Sequence, residues 1–185
     1  WIALMGIYMV GPRIGRYDAL KRVQPMKSSD YSYSILGVMI LWLGWWGFNG
    51  GSTLAFNNDV VKIILNTNLA GAAACFSAFF HGYFFQKKKD LIEKIAGGSL
   101  TGLVAITACC NVVSPINSLI IGLLAGVIHN YFYVLIAEKW HLDDPVGAIA
   151  VHGFGGVFGT LCVALFGEAE LLSTDRWTQL AIQFL

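Results

Sequence analysis

The length of the uncharged stretches constrains this chain more than any other feature. Residues 31–58 contain no Lys, Arg, Asp or Glu. Because an α-helix rises about 1.5 Å per residue, such a stretch is long enough to cross the roughly 30 Å hydrocarbon core of a bilayer. It predicts a membrane-crossing helix from about Ser32 to Phe56.

The other apolar segments predict further helices of the same kind. Residues 1–10 read as the tail of a helix that Gly11 and Pro12 end. Residues 95–137 also lack a formal charge, but they are too long for one crossing, and the polar tract 111–117 divides them. The remaining predicted helices cover about 60–85, 95–110, 118–137 and 146–166, and a last one begins near Thr178. The predicted fold class is all-α, a polytopic membrane helix bundle.

Composition agrees with this prediction and excludes other classes of protein. Hydrophobic residues make up 56% of the chain and charged residues 12%, whereas a soluble domain carries about 25% charged residues. A net charge of +1 argues against a nucleic-acid partner. The four cysteines lie in apolar stretches without CxxC spacing, so they predict buried thiols rather than a disulfide framework or a metal site. No cofactor is predicted.

The charges between the predicted helices sort to two sides of a membrane. Only Lys62 and Arg176 lie on one side, which the positive-inside rule makes the outer side. The second helix and the helix that contains His152 therefore run outward. The basic residues predicted on the cytoplasmic side are Arg13, Arg16, Lys21, Arg22, Lys27, Lys87, Lys88, Lys89, Lys94 and Lys139. Trp1 and Leu185 both lie inside apolar segments, which suggests an excerpt of a longer protein.

One face of the second helix carries an aromatic stripe. Trp45, Phe48 and Ser52 are spaced i, i+3 and i+7, so about 100° per residue brings them to one side. The glycines of the same tract offer small surfaces for close helix packing. The stripe is explained either by simple packing or by a site that uses two rings and a hydroxyl.

His152 is the polar residue in the bilayer that most indicates function. It lies about two turns into an uncharged helix, where an ionisable group is expensive unless it faces a pathway or a partner. Gly153, Gly155, Gly156 and Gly159 would clear space around it. A structural histidine is the alternative. Neutral imidazole both donates and accepts a hydrogen bond, which suits a small polar solute or its proton.

The other polar candidates favour structural roles. His81 and His129 lie late in helices that run inward, which favours a position near the cytoplasmic end or a hydrogen bond to a neighbouring helix. His141 lies in a loop. Asp143 and Asp144 precede a helix and are interpreted as N-terminal caps, with Pro145 in the first turn.

Three tracts together resemble the ammonium transporter family (Amt/Mep, related to the Rhesus proteins). They are Gly11 to Arg16 (GPRIGR), Leu41 to Ser52 (LWLGWWGFNGGS) and Asp143 to Gly153 (DDPVGAIAVHG). The resemblance implies a homotrimer in a cytoplasmic membrane, inner or plasma. Its protomers would have eleven membrane helices, with two five-helix halves in inverted repeat around a pore. Residues 1–185 would be a partial membrane domain from the second repeat, comprising the end of helix 5, helices 6–10 and the start of helix 11.

The resemblance also implies roles for four residues. Ser52 matches the hydroxyl of an outer ammonium-recruitment site, and Phe48 matches one of two rings that close the pore beneath it. Trp45 matches an aromatic residue beside the pore, and His152 matches the second of two pore histidines. Three further site residues of the family lie in the part of its sequence that precedes the position of Trp1. They are the other pore histidine, the recruitment-site tryptophan and the second gate ring. This segment alone is therefore not expected to conduct.

The implied function is transport of ammonium or ammonia through a hydrophobic pore. An ammonium sensor, with the same fold coupled to a cytoplasmic signalling module, is the alternative. A membrane enzyme is disfavoured because no nucleophile–base pair or metal-ligand set accompanies His152. The implied partners are ammonium, the lipid bilayer, further copies of the chain and a cytoplasmic regulatory protein.

Overall fold

The computed structural model describes residues 1–26, 30–86 and 90–184. Its secondary structure is helical, which confirms the predicted all-α class. The helices are α1 (Ile2–Val10), α2 (Tyr31–Gly51), α3 (Asn58–Phe85), α4 (Leu91–Thr107), α5 (Pro115–Glu138), α6 (Gly155–Phe166) and α7 (Arg176–Phe184). A π-helical turn, Ile149–Phe154, leads directly into α6, and a short 3₁₀ turn, Ala169–Leu171, follows it.

Three helices in the described part of the chain are long and apolar enough to cross a membrane. They are α3, α5 and the continuous helix Ile149–Phe166. α2 has 21 residues, many of them Trp, Tyr, Ser and Gly, and α4 has 17 residues. The bundle therefore combines strongly apolar helices with two that are more polar or shorter.

The predicted helices are confirmed, and local chemistry explains most of their ends. The Asp30 carboxylate accepts a hydrogen bond from the Ser32 N–H at the start of α2. Ser114 accepts from the Asn117 N–H at the start of α5, where Pro115 takes the first position. The predicted end of the second helix at Phe56 is wrong. α2 ends at Gly51, and Leu54 has a φ of 54°, which an α-helix does not allow.

α3, α4 and α5 form the centre of the bundle through small residues. An added Cβ on Gly122 of α5 would lie 2.8 Å from Ala70 Cα on α3, and one on Gly102 of α4 would lie 2.7 Å from the Ala70 carbonyl oxygen. The backbones of the three helices are therefore close, as is usual where helices pack in a bilayer. Cys109, Cys110 and Cys162 are buried free thiols in the same core, as predicted, whereas the free thiol of Cys75 is only partly buried.

A buried amide joins the centre of the bundle. Asn66 of α3 is fully buried. Its side-chain nitrogen donates to the carbonyls of Cys110 and Val113 at 2.8 and 3.0 Å, and its oxygen accepts from the Ser118 hydroxyl at 3.0 Å. These bonds satisfy backbone carbonyl groups between α4 and α5, where the helical hydrogen bonding is interrupted. Without a hydrogen bond, these carbonyl groups would be costly in an apolar environment.

The connections between helices gather at two ends of the bundle. At one end, Tyr31 donates to the Glu93 carboxylate at 2.7 Å, and Arg13 pairs with Asp143 at 2.7 Å. At the other end, the Glu168 N–H donates to the Val112 carbonyl at 2.8 Å. This division agrees with the two groups of loops predicted from charge. Lys27, Lys87, Lys88 and Lys89 lie outside the described residues.

Three sequence interpretations need correction. Lys94 is not a loop residue, because it lies in α4 and is 1% exposed. Asp143 does not cap a helix; it pairs with Arg13, and Asp144 alone accepts from the helix N–H groups. Among the glycines of the α2 tract, an added Cβ on Gly50 would meet Val60 and Ile64 of α3, while one on Gly44, Gly47 or Gly51 has no atom within 4 Å.

Candidate functional site

A groove of about 790 Å³ opens between α2, α4 and the helix that carries His152. Its lining is Ile40, Leu41, Gly44, Trp45, Phe48, Val104, Thr107, Ala108, His152, Gly156 and Thr160. Three of the four residues singled out in the sequence therefore lie on one surface, although more than 100 residues separate Phe48 from His152 in the chain. The walls are mainly apolar, and the imidazole of His152 is the one ionisable group among the lining residues.

Trp45 is held in the groove by a hydrogen bond to α4. Its indole Nε1–H donates to the Thr107 hydroxyl oxygen at 2.9 Å, and that hydroxyl donates to the Leu103 carbonyl at 2.7 Å. Since a buried indole N–H usually needs a partner, this bond determines the side of the bundle that the ring occupies. Thr107 was not predicted as a site residue, because one hydroxyl in an apolar helix carries no distinctive signal in the sequence.

Phe48 lies next to Trp45 and is mostly open to the groove. The two ring centroids are 6.1 Å apart with an angle of 55° between the planes, and Phe48 is 62% exposed. A tilted pair of this kind presents both an edge and a face to the space in front of it.

Two other tryptophans join α2 to α3. The indole N–H groups of Trp42 and Trp46 both donate to the Asn68 side-chain oxygen on α3, each at 2.9 Å. The Asn68 nitrogen donates to the Ile64 carbonyl at 2.9 Å, which leaves the amide oxygen directed at the indoles. α2 is thus oriented by three indoles, with two bonded to α3 and one to α4.

His152 lies within the π-helical turn rather than in a regular α-helix. Residues 149–151 are buried, whereas His152 is exposed to the groove. The Gly155 N–H reaches the Ala150 carbonyl five residues earlier, which is the π-helical bond. π-Helical turns are rare and frequently occur at functional sites. The sequence predicts a continuous helix here and carries no signal for this turn.

The start of the π-helical turn is capped by Asp144. Its carboxylate accepts from the Ala148 and Ile149 N–H groups at 2.9 and 2.7 Å. Gly147, just before them, has a φ of 67°, a left-handed conformation that favours glycine. The tract before His152 is therefore a tight, capped entry into the helix.

The glycines after His152 divide into two groups. An added Cβ on Gly155 or Gly159 would lie 2.7 Å from Thr101 Cγ2 or 2.5 Å from the Ala105 oxygen, so these two allow close packing on α4. An added Cβ on Gly156 meets no atom within 4 Å. The interpretation that all four glycines clear space around His152 is thus wrong for Gly155 and Gly159.

Ser52 does not line the groove. It follows the last residue of α2, and its hydroxyl donates to the Phe48 carbonyl at 2.6 Å. This bond places the exposed Ser52 one turn beyond Phe48, at the end of the bundle that the charges predict to be outer.

The remaining histidines lie away from the groove. His129 of α5 is 1% exposed, and its Nδ1 is 3.0 Å from the Thr101 hydroxyl oxygen of α4, which agrees with the predicted hydrogen bond to a neighbouring helix. His81 stacks on Phe85 at a centroid distance of 5.6 Å. His141 is exposed in a loop, as predicted. Among the described residues, no group of three His, Cys, Asp or Glu side chains is arranged to hold a metal ion.

An ion-pair cluster lies next to the entry into the π-helical turn. Arg13 and Arg16 approach the Asp143 carboxylate at 2.7 and 3.4 Å. The hydrogen bond from Arg13 holds the pKa of Asp143 below its ordinary value. Asp143 therefore stays charged, and it anchors the loop that leads to Asp144 and the turn.

Membrane-length helices around an apolar groove with one histidine define a polytopic helical membrane protein. A family model described as the Ammonium Transporter Family matches residues 1–184. The chain belongs to this family and is an integral membrane protein, as the resemblance of its three tracts predicted.

Named relatives agree with this assignment. The putative ammonium transporter sll0537 of Synechocystis sp. is 43% identical over 190 residues, which cover 100% of this chain and 34% of that protein. Ammonium transporter Amt2 of Archaeoglobus fulgidus is 41% identical over 171 residues, which cover 92% of this chain and 36% of that protein. The chain spans about a third of the length of these relatives.

Solved structures share the fold. A protein named Sensor Amt Protein matches 100% of this chain and 46% of its own with a TM-score of 0.95 and 41% identity. The N240A mutant of Candida albicans Mep2 matches 98% of this chain and 42% of its own with a TM-score of 0.83 and 28% identity. The predicted ammonium-transporter fold is confirmed by these matches.

Proposed function

We propose that this chain is part of a protein that moves ammonium or ammonia across a membrane, with Trp45, Phe48 and His152 along the path. The observation that carries the proposal is the groove, in which an apolar wall, two aromatic rings and a histidine from three helices lie together. Family membership over residues 1–184 supports the choice of solute.

The apolar wall determines the form in which the solute crosses. Ile40, Leu41 and Val104 offer no polar atom to a cation, and an unpaired charge in an apolar environment costs several kcal/mol. Transfer of a proton from ammonium to water before entry removes that cost. Neutral ammonia then meets His152, which accepts or donates one hydrogen bond and is able to pass a proton.

The aromatic residues act before this step. The rings of Phe48 and Trp45 offer faces to a cation at the mouth of the groove, worth about 0.5–2 kcal/mol for each contact. Ser52 lies one turn beyond Phe48 and supplies a hydroxyl acceptor for the N–H groups of ammonium. In this order, Ser52 recruits the ion, Phe48 controls entry and His152 acts inside.

The proposal extends to the assembly. Residues 1–185 would form part of a longer membrane domain, from the end of its fifth helix to the start of its eleventh. The missing half would close the open side of the groove and supply a second histidine opposite His152. Three copies would assemble in the cytoplasmic membrane, and a cytoplasmic regulatory protein would bind at the basic end.

A sensor is the second candidate. The structure named Sensor Amt Protein matches the whole chain with a TM-score of 0.95, against 0.83 for the Candida albicans Mep2 mutant. In a sensor, the same groove would bind ammonium and change the output of a cytoplasmic module while little solute crosses. A kinase, cyclase or similar module after the last helix would favour this function.

The test is a transport measurement on the intact protein in liposomes after an ammonium concentration jump. Recordings of membrane current and internal pH distinguish charged, neutral and absent transport. We expect His152→Asn to abolish or strongly reduce flux. The matched control is His141→Asn, since His141 is exposed in a loop and its positive φ suits Asn.

Each outcome decides between the candidates. Flux that His152→Asn removes and His141→Asn preserves supports transport through the groove. Saturable ammonium binding without current or pH change supports the sensor. Wild-type flux in His152→Asn contradicts the role given to this residue.

A further inference from the structure

The π-helical turn that carries His152 is contacted at both ends by one buried pair of polar residues. Thr101 of α4 and His129 of α5 are 0% and 1% exposed. Their side chains meet with Thr101 Oγ1 3.0 Å from His129 Nδ1. Neither residue lines the groove.

The Thr101 hydroxyl links α4 to α5. Its oxygen lies 2.8 Å from the Gly97 carbonyl oxygen and 3.0 Å from His129 Nδ1, and its one hydrogen serves one of these two bonds. The contact gives the His129 ring a defined orientation. An added Cβ on Gly97 would overlap Cε1 and Nε2 of the same ring, so the ring fills the space that Gly97 leaves on α4.

His129 touches the chain just before the π-helical turn. An added Cβ on Gly147 would lie 3.6 Å from His129 Cε1 and 3.8 Å from Tyr133 Cδ2. Gly147 is two residues before Ile149, where the turn begins. The imidazole thus packs against the left-handed residue that sets the entry into the turn.

Thr101 touches the chain just after the turn. An added Cβ on Gly155 would lie 2.7 Å from Thr101 Cγ2 and 3.6 Å from the Thr101 carbonyl oxygen. Gly155 is the first residue of α6, and its N–H makes the π-helical bond to Ala150. The methyl group of Thr101 thus packs against the residue that closes the turn.

A π-helical turn needs such support because it is less favourable than a regular α-helix. A π-helical turn also contains one more residue than an α-helical turn. The extra residue changes the direction of the His152 side chain relative to Gly155 and Gly159, which pack on α4. A relaxed, regular helix would keep Gly155 and Gly159 on α4 and rotate His152 relative to the groove. The direction of His152 consequently depends on the turn.

We propose that Thr101 and His129 are positioning residues whose buried hydrogen bond, with the contacts to Gly147 and Gly155, keeps the π-helical turn and directs His152 into the groove. This inference rests on the proposed function only for its effect on flux. Its effect on the environment of His152 is independent of whether the protein is a transporter or a sensor.

The experiment compares Thr101→Val and Thr101→Ser in the intact protein. Valine retains the methyl contact but removes the hydroxyl, whereas serine retains the hydroxyl. The protein carries ¹⁵N-labelled histidine in lipid bilayers, and His152→Asn assigns the His152 ring resonances by their loss. Thr67→Val is the matched control, because Thr67 is also 0% exposed and back-bonds to the Ile63 carbonyl, but on α3.

We expect Thr101→Val to shift the His152 ring resonances and to lower ammonium flux roughly tenfold or more, as misplacement of a group in a reaction path does. Thr101→Ser should restore both toward wild type. Thr67→Val should leave the His152 resonances unchanged even if it lowers the melting temperature.

Unchanged His152 resonances in folded Thr101→Val would overturn the inference, and so would an equal shift in Thr67→Val. If Thr101→Val does not accumulate, Gly155→Ala tests the same contact, since its added methyl would press on Thr101 Cγ2. A resonance shift without loss of flux would retain the positioning role and reject the proposed transport role of His152.

Discussion

Arg13 and Asp143 form a bidentate ion pair, although 130 positions separate them in the chain. Nε of Arg13 lies 2.7 Å from Oδ2 of Asp143, and Nη2 lies 2.8 Å from Oδ1. The Arg13 backbone N–H adds a third bond to Oδ2 at 3.0 Å. The loop after α1 is thereby tied to the loop that enters the π-helical turn. Because the turn carries His152, this ion pair connects an end of the bundle to the groove.

Arg13→Met should destabilise the protein by about 1–2 kcal/mol, because it leaves a buried carboxylate with only the Arg16 side chain and the backbone N–H of residue 13 beside it. Arg22→Met is the matched control. Arg22 pairs with Asp18 at the same 2.7 Å, but its side chain is 72% exposed, against 44% for Arg13. The melting temperature in detergent should fall more for Arg13→Met than for Arg22→Met, and equal falls would contradict the structural role.

The same ion pair predicts a dependence of stability on pH. The pKa of Asp143 is lowered by the hydrogen bond from Arg13. The contribution of the charged Asp143 to the free energy of unfolding is therefore complete above the ordinary Asp pKa of about 3.9 and is lost as pH falls through the lowered value. The stability advantage of wild type over Asp143→Asn should be constant near neutral pH and should shrink below about pH 4. Melting curves of both proteins from neutral pH to below about pH 4 measure this difference in stability. An undiminished difference in acid would contradict the ion pair between Arg13 and Asp143.

Asn68→Leu should loosen α2 from α3. It leaves the indole N–H groups of Trp42 and Trp46 without their shared acceptor, which costs about 1–3 kcal/mol for each group that stays buried. We expect a lower melting temperature and a change in tryptophan emission. The control is Asn111→Leu on the surface, and an unchanged emission spectrum in Asn68→Leu would show that the shared acceptor does not orient these rings.

Thr107→Val should reduce flux without unfolding the protein. It removes the hydroxyl that accepts the Trp45 indole N–H, so the ring loses its fixed orientation beside the path. Thr160→Val makes the same change in the same groove, but the Thr160 hydroxyl bonds only to the Val157 carbonyl in the described structure, at 2.9 Å. We expect a severalfold loss of ammonium flux for Thr107→Val alone, and equal flux in both variants would contradict a role for the indole bond.

Two glycines of α6 should respond differently to alanine. Gly159→Ala places a methyl group 2.8 Å from Ala105 Cα, so the helices must separate at a cost of about 1–3 kcal/mol. Gly156→Ala meets open space beside His152 and should fold normally while narrowing the groove. The expected pattern is a lower melting temperature for Gly159→Ala and reduced flux at wild-type stability for Gly156→Ala, and the reverse pattern would contradict this division.

Much of the bundle was predictable because charge and hydropathy act over long stretches. The uncharged run around Trp45 predicted α2, and the break at Pro115 predicted the separation of α4 from α5. The spacing of Trp45 and Phe48 predicted a shared face, and the structure lines the groove with both. The resemblance of three tracts implied the family, which the family match over residues 1–184 confirms.

Other features were not predictable, because they depend on which neighbour a residue meets. Lys94 looks like a loop charge by position, yet the surrounding helices bury it. Asp143 and Asp144 are adjacent and chemically identical, and only the approach of Arg13 gives them different roles. Thr101 and His129 show no shared pattern, since they become partners only when α4 and α5 pack through Gly97.

The sequence by itself determined the number and order of the helices, the grouping of their connections and the face that Trp45 and Phe48 share, because these follow from hydropathy and helical periodicity. Only the tertiary structure decided that His152 lies in a π-helical turn and opens into the same groove as Trp45 and Phe48. One extra residue in a helical turn leaves hydropathy unchanged, and contacts from other helices are needed to hold it.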